Sequence, residues 1–186
     1  MDPISNKKDF ENLTFKLRDL AYTYIEKYSP TKQQIKTYLI KKYLIKFKGN
    51  KQKREVVEII NKILENLEKN NLINDKLYSD SKARVLFKRG YSLNKISNSL
   101  KSKGIDYKNI NESLQKIKSS GEDPDFISAM RICKKKRIGP MRPDANREIF
   151  YKKDLGILAR LGFDFETSRK ILDMNKDEYI KIINLL

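Results

Sequence analysis

The chain has 186 residues, and its 41 lysines and arginines outnumber 24 aspartates and glutamates, which gives a formal charge of +17. It contains no histidine and a single cysteine, Cys133, which excludes an intrachain disulfide and any histidine-based catalytic or metal site. A basic chain without an uninterrupted apolar span predicts nucleic acid as a partner rather than a membrane, and the missing apolar core of a signal peptide favours the cytoplasm.

The first predicted helix carries apolar residues at spacings of three and four between Leu13 and Tyr28. Ser29-Pro30 ends this helix, because proline disfavours a helical conformation in the residue before it. Thr31 is then placed to cap a second helix. A third helix is predicted from about Val56, after a basic loop over residues 46–54 that contains a Gly-Asn break.

The next set of helices repeats this order. Asn74-Asp75 caps a predicted helix over residues 76–89, Gly90 closes it, and a second helix follows over residues 92–103. The third helix is marked by Ile110, Leu114 and Ile117. A constant offset of 61 residues places Thr31, Ile35 and Leu39 over Ser92, Ile96 and Leu100.

The last part of the chain predicts four further helical segments. Asp123-Pro124 is typical of a helix start, and Gly139-Pro140 must end the helix that follows. Another helix is predicted over residues 147–161, and a closing pair covers residues 164–172 and 176–186.

These patterns predict an all-α protein of three tandem three-helix repeats that form an elongated, curved rod. Strand signals are poor, since the β-branched residues are almost all isoleucines at helical spacing. We predict a frayed N-terminus over residues 1–9, and then repeats over residues 10–73, 74–121 and 122–186, the last with a basic segment at 131–142. Each repeat is too small to bury its apolar faces alone, so neighbouring repeats are expected to share contacts.

Long segments of the chain contain basic residues and no acidic ones. Seven basic residues lie between Asp80 and Asp106, and six lie between Phe126 and Pro143. An ordinary solvated helix mixes both signs of charge, so these segments predict contact with a polyanion. The candidate binding residues are Arg84, Lys88, Arg89, Lys95, Lys101, Lys103, Lys134, Lys135, Lys136, Arg137 and Arg142.

The sequence offers little catalytic chemistry. No glycine-rich phosphate loop is present, and one cysteine cannot make a zinc site, so we predict no enzyme, no cofactor and no metal. A metal-dependent nuclease would have to use Asp75, Asp80, Asp106 and Glu112, but these carboxylates share no spacing and solvated surface explains them better. Cys133 is expected to be a small, half-buried hydrophobe.

Four motifs occur in a fixed order along most of the chain. They are Asn74-Asp75 with Tyr78; Arg89-Gly90-Tyr91-Ser92 with Ile96, Leu100 and Lys103-Gly104-Ile105; Arg137-Ile138-Gly139-Pro140-Met141-Arg142; and residues 158–163. Together they resemble the recombination regulator family RecX, and the segment around Gly139-Pro140 looks most like alphaproteobacterial members.

The resemblance implies a cytoplasmic bacterial protein of three helical repeats without enzymatic activity. It further implies binding to RecA filaments on DNA and inhibition of RecA activities in recombination, DNA repair and the SOS response. The DNA, single- or double-stranded, would be bound without sequence specificity, and the protein is expected to be a monomer.

The alternative hypothesis is an autonomous DNA-binding protein of helix-turn-helix type, with the helix over residues 92–103 in the major groove. This helix offers Asn94 and Asn98 as base-reading side chains, but it has no arginine to read guanine.

Overall fold

The helical periodicity of the sequence appears as ten α-helices in the computed structural model, which describes residues 7–43, 49–119 and 123–185. They are α1 (Lys7–Tyr28), α2 (Lys32–Tyr43), α3 (Asn50–Lys69), α4 (Asp75–Lys88), α5 (Leu93–Ser102), α6 (Tyr107–Lys118), α7 (Pro124–Lys136), α8 (Asp144–Arg160), α9 (Phe165–Leu172) and α10 (Lys176–Leu185). A 3-10 turn, Gly139–Met141, lies between α7 and α8. These residues contain no strand, which confirms the all-α fold class.

Some predictions fall on residues that the structure does not describe. Of the predicted frayed terminus, residues 1–6 lie outside the described part, and α1 already begins at Lys7. Residues 44–48, which include the start of the predicted basic loop, are likewise outside it. Gly49 lies outside any helix, as predicted, but the loop prediction is wrong for residues 50–54. These residues begin α3, whose first turns contain lysine and glutamine, which are good helix formers. Within the described residues, no helix is both long and apolar enough to span a membrane.

The chain divides into two compact units. The first comprises Met1–Tyr78 with Lys103–Ile105, and the second comprises Ser79–Ser102 with Asp106–Leu186. The core of the first unit is formed by α1, α2 and α3, through Leu13, Leu17, Ala21, Ile35, Leu39, Val56, Ile59, Ile60, Ile63, Leu64, Leu67 and Ile73. The core cluster of the second unit comes from α7 to α10 and their connections, including Met130, Cys133, Ile138, Leu158, Phe163, Ile171 and Tyr179.

Two helices of the second unit end at a left-handed glycine, as the sequence predicts. Gly90 has φ +85°, and the Tyr91 amide donates to the Leu86 carbonyl at 3.2 Å, which closes α4. A Cβ atom at Gly90 would lie 2.3 Å from Cδ1 of Ile132, so the glycine also permits close approach of α7. Gly162 closes α8 in the same way, with the Phe163 amide donating to Leu158.

The second helix of each of the first two predicted repeats has the same N-terminal cap. Thr31 Oγ1 accepts a hydrogen bond from the Gln34 amide at 3.2 Å, and Ser92 Oγ accepts one from the Lys95 amide at 3.1 Å. The next amide along the chain is bound in both cases by a distant carboxylate. The Lys32 amide donates to Asp75 Oδ1 at 2.9 Å, and the Leu93 amide donates to Asp125 Oδ1 at 2.8 Å. This shared cap supports the alignment of the two segments.

Candidate nucleic-acid interface

The first group of predicted binding residues lies on α4 and α5. Arg84 and Lys88 are exposed on α4, and Arg89, directly after this helix, is exposed as well. Lys95 and Lys101 are exposed on α5. Among the described residues, no carboxylate comes within ion-pairing distance of these five side chains. Their charges are therefore available to a ligand.

Arg84 lies near one carboxylate without pairing to it. Asp80 forms an ion pair with Lys116, whose Nζ lies 2.5 Å from its Oδ2. Burial alone would raise the pKa of Asp80. The hydrogen bonds from Lys116 and Ser113 and the charges of Lys116 and Arg84 outweigh burial, so the pKa of Asp80 is lowered overall. The negative charge next to Arg84 is thus already neutralised by Lys116.

The second group forms the exposed end of α7. Lys134, Lys135 and Lys136 occupy its last turn, where positive charge is favourable against the negative end of the helix dipole. Arg137 follows in the left-handed conformation, with φ 52° and ψ 49°, at a position where α4 and α8 have glycine. A non-glycine residue in this region is strained by about 1 to 2 kcal/mol. The helix nevertheless closes normally, since the Ile138 amide donates to the Cys133 carbonyl at 3.1 Å.

The fold brings the two groups together. Gly90, directly after Arg89, packs against Ile132 of α7, and the Leu93 amide binds Asp125 at the start of α7. Gly90, just after α4, therefore lies against α7 one helical turn before Lys136. We name the exposed cations of these two neighbouring segments together the basic corner and define it as Arg84, Lys88, Arg89, Lys134, Lys135, Lys136 and Arg137.

Three predicted residues lie elsewhere. Lys95 lies against the turn between α8 and α9, since a Cβ atom at Gly162 would be 2.5 Å from Cβ of Lys95. Lys101 is exposed further along α5. Lys103 belongs to the first unit, where its carbonyl accepts a hydrogen bond from Thr31 Oγ1 at 2.7 Å.

Arg142 differs from the other candidates because it has a buried partner. Its Nε and Nη2 atoms donate to the two carboxylate oxygens of Asp154 at 2.6 and 2.7 Å. Asp154 is 1% exposed and also accepts the Gly139 amide at 2.9 Å. The Arg142 guanidinium carbon lies 4.5 Å from the centre of the Phe150 ring. These contacts hold the 3-10 turn against α8.

The ion pair shifts the pKa of both partners. Burial raises the pKa of Asp154, but the hydrogen bonds from Arg142 and Gly139 and the charges of Arg142 and Lys153 outweigh burial and lower it. The hydrogen bond to Asp154 raises the pKa of Arg142. Both groups are therefore charged at neutral pH, and Asp154 offsets the positive charge of Arg142.

Sequence reasoning did not single out Asp154. One signal was present, because Asp154 lies one helical turn before the buried Leu158 on the same face of α8. An acidic residue at such a core-facing position requires a partner.

Comparison with known proteins identifies the family. The regulatory protein RecX of Myxococcus xanthus is 32% identical to this chain over 163 residues, which cover 86% of this chain and 85% of that protein. The chain belongs to the RecX family. The regulatory protein RecX of Clostridioides difficile is 29% identical over 128 residues, covering 65% of this chain and 56% of that protein. No family model matches the chain.

The family assignment confirms the resemblance seen in the motifs, and the structure shows what some motif residues do. Gly90 and Gly162 close α4 and α8, and Gly139 and Arg142 bind Asp154. These parts of the RecX-like pattern are structural. The exposed Lys134, Lys135, Lys136 and Arg137 are not explained by packing.

Three of the four carboxylates considered for a metal site have other roles. Asp75 binds the Lys32 amide, Asp80 pairs with Lys116, and Asp106 caps α6 by accepting the Asn109 amide at 2.8 Å. Within the described residues, no cluster of three or more potential metal ligands occurs.

Proposed function

We propose that this RecX-family protein is a non-catalytic regulator that binds RecA nucleoprotein filaments and inhibits RecA activities in recombination and DNA repair. The family relationship supports the regulatory role, since both relatives are named regulatory proteins. The observation that supports contact with DNA in the filament is the basic corner, whose seven cations have no carboxylate partner among the described residues.

The proposed contact is electrostatic and independent of sequence. Lysine and arginine side chains that reach phosphates release counterions from DNA, so affinity falls steeply with salt. The exposed lysines and Arg137 suit this role because they extend from helix ends into solvent. We assign Arg142 a positioning role, in which its bond to Asp154 fixes the turn that follows Arg137.

The three predicted repeats, residues 10–73, 74–121 and 122–186, belong to this proposal. The shared caps at Thr31 and Ser92 support them. A regulator shifts filament assembly only if it binds one assembly state better than the other. We therefore expect the protein to slow RecA-dependent ATP hydrolysis and strand exchange without hydrolysing ATP itself.

The central experiment compares binding to RecA filaments and to bare DNA at the same salt concentration. Replacing Lys134, Lys135, Lys136 and Arg137 with glutamine should lower affinity for both. If all four contact phosphate, the salt slope should flatten by about 3.6 units, at about 0.9 per contact on duplex DNA.

A matched control carries the same change of charge elsewhere in the second unit, at the exposed residues Lys152, Arg160, Lys176 and Lys181. This control should leave the salt slope nearly unchanged. Equal effects of the two variants would mean that net charge alone matters and that the basic corner is not a site. If the intact protein binds DNA but leaves RecA activity unaffected, the proposed regulation of RecA is wrong.

The helix-turn-helix alternative rests on the outer face of α5. Asn94 and Asn98 are exposed there, and Asn98 Nδ2 donates to Asn94 Oδ1 at 3.3 Å. A single asparagine amide can read adenine in the major groove through two hydrogen bonds. A strong preference for one short duplex sequence, lost in Asn94→Ala, would favour this alternative.

A further inference from the structure

A cluster of tyrosines lies on the surface of the first unit. The rings of Tyr24 and Tyr38 are stacked, with centroids 4.3 Å apart and an interplanar angle of 6°. Tyr28 lies one helical turn after Tyr24, and its ring centroid is 5.0 Å from that of Tyr24. The cluster thus joins the end of α1 to α2.

Packing explains two of the three rings. Tyr24 and Tyr38 are half-buried and pack against the apolar core, so they help to hold α1 on α2. Tyr28 does not belong to this packing layer and is 57% exposed. Tyr28 is therefore the ring of this cluster that is most open to solvent, and its contact with Tyr24 helps to fix its position.

Two lysine side chains lie over rings of this cluster. Nζ of Lys27 lies 5.3 Å from the centre of the Tyr28 ring, and Nζ of Lys42 lies 5.6 Å from the centre of the Tyr38 ring. No acidic residue occurs from Lys27 to Tyr43. Glu26 is near in sequence, but two residues along a helix correspond to a rotation of about 200°, which turns it away from Tyr24.

From this arrangement we propose that the tyrosine cluster is a binding site for single-stranded nucleic acid, in which an unpaired base stacks on Tyr28 and Lys27 and Lys42 contact the adjacent phosphates. Aromatic faces combined with cations suit single strands, because every unpaired base exposes a π-face and every linkage carries a negative charge. Paired bases in a duplex do not expose their faces. The proposed site shares no residue with the basic corner and does not require RecA.

The test uses the full-length protein and fluorescence anisotropy with three labelled probes of equal phosphate number: an oligothymidine strand, an abasic strand and a blunt duplex. Tyr28→Leu should weaken oligothymidine binding about tenfold, as expected for the loss of one base stack. Affinity for the abasic strand and the duplex should not change. Tyr28→Phe keeps the ring and should bind like the unaltered protein.

Tyr107→Leu is the matched control. Tyr107 is more exposed than Tyr28, at 77%, and it too has a lysine neighbour, Lys108, but it makes no ring contact among the described residues. This variant should bind oligothymidine normally. Replacing Lys27 and Lys42 with glutamine should reduce the single-strand salt slope by about 1.4, at about 0.7 per contact.

Two results would overturn the proposal: Tyr28→Leu binding oligothymidine as tightly as the unaltered protein, or losing affinity equally for all three probes. Because Tyr28 is largely exposed, the leucine variant should fold, and its melting temperature checks this directly. The glutamine variant of the basic corner should instead weaken binding to all three probes. The two sites are therefore tested independently.

Discussion

Replacing Asp154 with asparagine should lower the free energy of unfolding by about 3 kcal/mol. Removing one partner of a buried ion pair typically costs about 3 to 5 kcal/mol, because the other charge is left uncompensated. Asp154 is 1% exposed and accepts hydrogen bonds from Arg142 and Gly139. Arg142 is 19% exposed and can turn toward water, so we expect a cost at the lower end of that range.

A double-mutant cycle separates the ion pair from the rest of the site. Asp154→Leu alone leaves the charge of Arg142 and the Gly139 amide without an acceptor. Adding Arg142→Met removes the charge, so the double variant should be more stable than Asp154→Leu by about 2 kcal/mol. The Gly139 amide remains unpaired in both and costs about 1 to 3 kcal/mol.

The same pair predicts a pH dependence. The pKa of Asp154 in the folded protein is below its unfolded value of about 3.9, because the bonds from Arg142 and Gly139 outweigh burial. Its stabilising contribution is therefore complete above about pH 4 and is lost as the pH falls through the folded pKa. As the pH falls below about 4, the free energy of unfolding of Asp154→Asn should therefore decrease less than that of the unaltered protein.

Urea unfolding followed by far-ultraviolet circular dichroism measures all of these quantities. A loss below about 1 kcal/mol for Asp154→Asn at pH 7, or a double variant no more stable than Asp154→Leu, would refute the structural role of the pair. Arg142→Gln also tests the functional assignment. It should reduce stability while leaving the salt slope of DNA binding unchanged.

Three further predictions concern single residues. Arg137→Gly should keep or raise the urea midpoint of unfolding, because glycine adopts φ 52° without strain. It should nevertheless weaken DNA binding as Arg137→Gln does. A lowered midpoint would contradict the predicted strain at Arg137. Burial raises the pKa of Cys133 to about 12, so the thiol is almost fully protonated at pH 8 and is a poor nucleophile. Iodoacetamide at pH 8 should therefore modify Cys133 only in urea. Rapid modification without urea would show that α7 opens. Asp125 has a raised pKa, since burial and the charges of Asp123 and Asp164 outweigh the bond from the Leu93 amide. Its ionisation therefore reduces stability as the pH rises through that pKa, and Asp125→Asn, which keeps an acceptor for the amide, should melt at the same or a higher temperature at pH 7.

Features that depend on a few neighbouring residues were predictable from the sequence. The caps at Thr31, Ser92 and Asp123 were predicted from side-chain type and position, and each accepts an amide of the following turn. Gly90 was predicted to close its helix for a similarly local reason, since it reaches the left-handed region at no steric cost. The all-α fold follows from apolar spacing over whole helices.

Features that depend on the tertiary fold were not predictable. Arg142 looked like one more cation in a basic segment, and only the return of α8 places Asp154 against it. The proximity of Arg89 to the end of α7 likewise depends on the contact between Gly90 and Ile132. A charge run shows how many cations are present, but only the fold shows which of them a carboxylate neutralises.

The cap carboxylates show why a fixed sequence offset describes the predicted repeats incompletely. Thr31 and Ser92 are 61 residues apart, whereas Asp75 and Asp125, which bind the amides next to them, are only 50 apart. The difference arises mainly in the third helices, since α3 has 20 residues and α6 has 12. A fixed offset therefore aligns the caps and misses the carboxylates.

The position of those carboxylates also determines how the third repeat must be studied. Each cap is completed by a side chain from the following segment, so a chain that ended before Asp123 would leave the Leu93 amide without its acceptor and Gly90 without the cover of Ile132. Deleting the predicted third repeat would thus damage the segment before it, and a loss of the proposed RecA inhibition would not show that the deleted residues make contacts. Substituting the exposed Lys134, Lys135, Lys136 and Arg137 in the full-length chain leaves these caps in place. A loss of inhibition in that variant can then be attributed to the surface itself.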